Sequence, residues 1–146
     1  MKMNDPRLAQ ILEHYGREHQ RWKLVEECGE LLAELGRFRT GDRSNVADLI
    51  HEAADVIVVA RQLFDTTCAE CSHDVDTVLF LKRAVVGLAD FVTIPASPRL
   101  AEDRAKDMEF YAFELARILW AETMLVEAIE MKTARQIERI EAEERE

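Results

Sequence analysis

Val46-Ala47-Asp48-Leu49-Ile50-His51-Glu52-Ala53-Ala54-Asp55-Val56-Ile57-Val58-Val59-Ala60-Arg61-Gln62-Leu63-Phe64 is the stretch that decides the fold. Wound as a helix, its Val, Leu, Ile, Ala and Phe residues cover most of the circumference. A helix that is apolar nearly all round is a buried helix. Yet Glu52 and Asp55 stand in its middle, three residues apart and so on one face. A buried carboxylate without a partner costs several kcal/mol or takes up a proton. The inexpensive remedies are a Lys or Arg partner or a metal ion, and Arg61 is the only cation in the interior of this helix.

The preceding segment, from about Glu18 to Arg39, has the matching pattern. Leu24, Val25, Cys28, Leu31, Leu32 and Leu35 fall in one arc at about 100° per residue and form a core face. Glu27, Glu30 and Glu34 border that arc, and Glu26 lies further round. Residues 40–44 are a short connection with Gly41-Asp42 as the stop and Ser44 or Asn45 as the next cap, so the two helices are antiparallel neighbours. Glu27/Glu30 and Glu52/Asp55 lie about equally far from that turn, and at about 1.5 Å rise per residue they sit at one level. A single Glu on an acidic bundle reads as a surface residue paired to a stray Lys or Arg. Four level-matched carboxylates, two of them on an apolar helix, read instead as a site for a hard, oxygen-seeking divalent cation such as Mg²⁺.

Outward from this pair the chain stays helical. Five Gly and three Pro in 146 residues are too few for turn-rich β folds. Asn4-Asp5-Pro6 starts a first helix that ends or kinks at Gly16. Asp74 to about Thr93 has helical spacing, and Ser97-Pro98 opens a last helix running to about Glu143, long enough to hide a break. The expectation is one all-α domain, 1–146, a bundle of about five helices. Apolar residues at 48% and charged residues at 33% support a buried core. The net charge of −10 disfavours nucleic acid as a partner. No run is long enough to span a membrane. No apolar leader stands at the N-terminus, and three cysteines point to a reducing compartment, so the cytoplasm is the expected location.

Glu27-Cys-Gly-Glu30 and Glu52-Ala-Ala-Asp55 form an E-x-x-E … E-x-x-D arrangement. With Lys23-Leu-Val-Glu-Glu-Cys-Gly-Glu-Leu31 and Glu52-Ala-Ala-Asp-Val-Ile57, it closely resembles the MazG-like, all-α nucleoside triphosphate pyrophosphohydrolases. Tyr15-Gly16-x-x-x-Gln20 and Met131-Lys132-x-x-Arg135-x-x-x-Arg139-Ile140 look like further elements of compact members. The likeness covers about 8–64 and 125–141, and residues 65–124 stand between as an inserted helical segment. The resemblance implies Mg²⁺, with Mn²⁺ as a substitute, held by Glu27, Glu30, Glu52 and Asp55. It implies cleavage of an NTP or dNTP between the α and β phosphates, as nucleotide-pool house-cleaning. It places Glu26 where it orients a ligand or a water, puts Gln20 and Lys23 at the substrate end, and implies a homodimer or homotetramer.

The residues support that chemistry. A Glu not fully committed to metal, Glu26 or Glu30, is the candidate general base. Lys132, Arg135 and Arg139 share a helix face and could clamp the β and γ phosphates, or simply be a solvated charged face. A dUTP- or phosphoribosyl-ATP-specific enzyme would keep the same site. A non-catalytic helical interaction protein on the same scaffold is the reading from another class. His51 is an edge residue, and Cys68, Cys71 and His73 read as plain loop residues rather than a zinc site. Trp22 and Trp120 read as core or interface residues, and Met108, Phe110, Tyr111, Phe113, Leu115 and Trp120 as one packed helix face.

Overall fold

The computed structural model describes residues 5–41, 43–66, 76–94 and 97–146. Among them the chain is all-α, with six helices and one short 3₁₀ turn. Asp5 caps α1 (Pro6–Tyr15) by accepting from the Arg7 backbone N–H, with Pro6 in the first turn. Gly16, at φ +86°, turns the chain directly into α2 (Arg17–Arg39), so the expected end at this glycine is a sharp corner. After Gly41 (φ +110°) and a 3₁₀ turn at Arg43–Asn45, α3 (Val46–Leu63) runs back along α2. Asn45 holds the N-cap position but makes no cap bond. Its amide donates to the Glu34 backbone and side chain, and so pins the hairpin across its turn.

α3 is the centre of the bundle, as its apolar circumference requires. Leu49, Ile50, Ala54, Val56, Ile57 and Ala60 are shut off from solvent, and α1, α2, α5 and α6 all pack on it. α4 (Thr77–Val92) packs on α2, and α5 (Pro98–Ile118) packs on α4 and α3. The Phe80 ring lies tilted 5.6 Å from that of Tyr111, and a Cβ on Gly87 would meet the Arg104 side chain at 2.9 Å, so α4 and α5 are antiparallel. Between α3 and α5, Arg61 forks onto Glu109, and Thr66 donates to the same carboxylate at 2.5 Å. Within 65–124, then, the described residues form a hairpin that buttresses the acidic helix pair. The Cys68, Cys71 and His73 loop lies outside the described residues, as do Asn4 and Asp74.

The sequence leads one to expect about five helices, and the sixth comes from a break in the last one. α5 stops at Ile118 and α6 (Glu122–Glu144) starts after three intervening residues. Between them Trp120 takes φ +57°, the left-handed region that a bulky side chain disfavours. Trp120 is 97% exposed, so it is not core. Trp22, at 59%, is not core either. Of the aromatic face expected around it, Met108, Tyr111 and Leu115 are buried, and Phe110 and Phe113 pack partly against the core. The break redirects α6 alongside α1, where Arg7 pairs with Glu130 and His14 with Glu143. No described helix is long and apolar enough to cross a membrane.

Replacing Trp120 by Gly removes the left-handed strain and deletes a side chain that is almost wholly exposed. The variant is expected to be more stable by about 0.5–1 kcal/mol, read as a raised Tm in thermal unfolding.

Candidate metal centre

The α2/α3 register sets the site. Gln20 and Glu27 are seven apart on α2, as are Asp55 and Gln62 on α3, so each pair lies on one helix face about 10.5 Å apart. Because the helices run in opposite directions, Glu27 meets Asp55, Glu30 meets Glu52, and Gln20 meets Gln62. One carboxylate oxygen from each of Glu27, Glu52 and Asp55 comes within 4.8 Å of the others. Glu30 is exposed and stands outside that trio, with its carboxyl hydrogen-bonded to Glu52. The expected convergence is therefore three acids with the fourth adjoining.

Two lysines reach the cluster. Lys23 Nζ lies 3.0 Å from Glu27 Oε1 and 3.2 Å from Glu26 Oε2. Lys132, brought in by α6, donates to Asp55 Oδ2 at 2.7 Å. Arg61, the cation nearest in sequence, is spent on Glu109 and does not serve the acids. With every carboxyl ionised, Glu27, Glu30, Glu52 and Asp55 exceed Lys23 and Lys132 by two negative charges. Glu26 points away into solvent, held by Lys23.

The local electrostatics follow. Burial pushes the Glu52 carboxyl up to about 7, helped by the hydrogen-bonded Glu30 carboxyl and the charges of Asp55 and Glu27. Burial also raises Glu27, and Asp55 and Glu30 add to the rise while Lys23 opposes it. Burial pulls Lys23 down, but its bonds to Glu27 and Glu26 outweigh that and leave it above its ordinary value. Glu27 is only 6% exposed. Its Oε2 and the Oε2 of Glu52 are buried with no hydrogen-bond partner among the described residues. Unsatisfied buried carboxylate oxygens are costly. A hard divalent cation is a fitting partner, because Mg²⁺ and Mn²⁺ are bound by carboxylate oxygens.

The remaining sequence candidates spread outward. Gln20 is buried, donates to Gln62 Oε1 at 2.6 Å and lies 2.9 Å from the His19 ring. Arg135 and Arg139 are exposed on α6 beyond Lys132. Two features escape a reading of the sequence. One is Lys132 as the direct counter-ion of Asp55, and the other is Gln62, whose Nε2 is buried without a partner among the described residues. The signal for Gln62 was present, since it lies seven residues after Asp55 on the same face. Cys28, in the core face next to Glu27, is fully buried and its thiol is pushed up to about 12 by burial and the Glu27 charge.

No protein-family model, curated protein or solved structure matches this chain. The residues and their geometry alone carry the functional reading.

The Glu52 shift fixes a pH dependence. Its carboxyl rises from an ordinary 4.5 to about 7 on folding, so the folded state holds the proton more tightly. That stabilisation is complete below about pH 4.5 and is lost as pH rises through about 7. In EDTA, Glu52→Gln is therefore expected to gain stability over the parent chain as pH goes from 5 to 8. The gain is about 1 kcal/mol after allowing for solvent screening of a half-buried group. Denaturant melts at the two pH values measure it, and a gap that shrinks as pH rises contradicts it.

Proposed function

We propose that this chain is a Mg²⁺-dependent nucleoside triphosphate pyrophosphohydrolase of the MazG-like kind. It cleaves NTP or dNTP between the α and β phosphates to the monophosphate and pyrophosphate, as cytoplasmic house-cleaning of the nucleotide pool. The observation that carries this reading is the close trio Glu27, Glu52 and Asp55, with buried carboxylate oxygens left unpartnered.

In this reading Glu27, Glu52 and Asp55 hold the ion and Glu30 adjoins it. When bound, Mg²⁺ supplies neutralising charge for the phosphate oxygens and a water acidified for attack. Glu30, open to solvent and hydrogen-bonded to Glu52, is the better placed general base. Glu26 is tied to Lys23 and acts on that lysine's position. Lys132 fixes the Asp55 carboxylate, so its part is to orient a ligand. Arg135 and Arg139, exposed along the same helix, are the cations available to a leaving pyrophosphate. Gln20 and Lys23 line the substrate end. A homodimer or homotetramer, and restriction to dUTP or phosphoribosyl-ATP, belong to the same reading.

A second reading rests on the two ion pairs. Lys23–Glu27 and Lys132–Asp55 compensate half of the cluster without any ion. On that view the acids are a salt-bridged polar layer in a non-catalytic helical interaction protein.

The pure protein incubated with each NTP and dNTP plus Mg²⁺ is expected to release the monophosphate and pyrophosphate. Glu52→Gln and Asp55→Asn are expected to lower turnover by about 100-fold or more with helical circular dichroism unchanged. Release of orthophosphate and diphosphate instead means that a different bond is cut. No product from any triphosphate, together with a Tm indifferent to Mg²⁺ at pH 8, selects the second reading.

A further inference from the structure

On the far side of α2 from the acids lies a pocket of about 140 Å³. At about 100° per residue, Glu18, Arg21 and Trp22 fall roughly opposite Lys23, Glu27 and Glu30, so the body of α2 separates the pocket from the acids, and Arg17 lies one turn before Gln20. The floor is apolar, made by Leu63 and Phe64 at the end of α3 and by Phe91 and Val92 at the end of α4. One wall is the Trp22 indole, steadied by its N–H donating to Glu18 at 3.2 Å.

The rim is cationic. Arg17 uses one N–H on the Leu63 carbonyl at 3.0 Å, and a guanidinium has five such donors. Arg21 stands 3.6 Å from Glu18, a loose contact between exposed groups. Two guanidinium groups against one carboxylate leave a single positive charge at the mouth. The first turns of α2 and α5 also line it. Neither helix has a side-chain cap bond, so both add the partial positive charge of a helix N-terminus.

We infer that this pocket binds a small aromatic monoanion, with a single ring on the Leu63–Phe91 floor and its carboxylate at Arg17 and Arg21. Size selects the ring, since a cavity of about 150 Å³ lined by apolar side chains accepts a benzene. Charge selects the carboxylate, because the rim carries one uncompensated cation. A polyphosphate is poorly matched, as most of its surface would lie on the hydrocarbon floor. The site is independent of the acid cluster and of the reaction proposed there.

Sodium benzoate is the probe and benzyl alcohol its neutral counterpart. In a Trp120→Phe background Trp22 is the only tryptophan, so its emission reports the pocket. Benzoate is expected to change that emission along a saturating curve, at least about tenfold tighter than benzyl alcohol. Arg21→Gln is expected to abolish that preference, Arg21→Lys to keep part of it, and Glu52→Gln to leave the titration as it was. Linear quenching without saturation, equal binding of benzoate and benzyl alcohol, or undiminished benzoate binding by Arg21→Gln would each overturn the assignment. A titration altered by Glu52→Gln would overturn the independence of the two places.

Discussion

Everything in this bundle answers to the crowding of like charge between α2 and α3. An apolar helix must go to the centre, and α3 carries Glu52 and Asp55 there with it. The antiparallel partner then lays Glu27 and Glu30 against them rather than a row of cations. Such repulsion is tolerable only because the rest of the fold contributes counter-charge and because the carboxyls can take up protons. Lys23 comes from the same helix one turn away, but Lys132 has to come from the far end of the sequence. The α5–α6 break that returns α6 to α1 and α3 is therefore tied to the electrostatics of the centre.

The α4–α5 hairpin has a related part. It covers the sides of α2 and α3 that face away from the acids, and Glu109 on α5 captures Arg61. Arg61 lies nine residues after Glu52 and six after Asp55, so at about 100° per residue it faces away from both, and Glu109 neutralises it there. With every carboxyl ionised, Lys23 and Lys132 leave the four acids two charges short of neutrality. That imbalance is the physical ground for expecting a divalent ion there.

Much of this is legible in the residues. The period of α3 shows burial, the short connection at 40–44 shows antiparallel pairing, and counting from the turn places the acids at one level. The same counting, carried seven residues on, brings Gln20 opposite Gln62. Less legible is anything that depends on where a distant helix lands. Lys132 on α6 has the sequence look of a solvent-facing cation, and only the packing of α6 on α3 makes it the partner of Asp55. The split of the last helix is hidden because Leu119-Trp120-Ala121 contains neither Gly nor Pro. The left-handed turn at Trp120 is imposed by tertiary packing against local preference. Asn45 looks like a cap and instead ties the hairpin, a competition between local and non-local bonds that composition does not reveal.

Cys28 gives the hairpin its own clock. Its sulfur is sealed in the core, one residue after Glu27, and held as the unreactive thiol. Alkylation at that atom must wait for α2 to lift from the core, so the labelling rate counts openings of the helix that carries Glu27 and Glu30. An ion that clamps the two helices would slow the count, and a chain that never needs one would tick on unchanged.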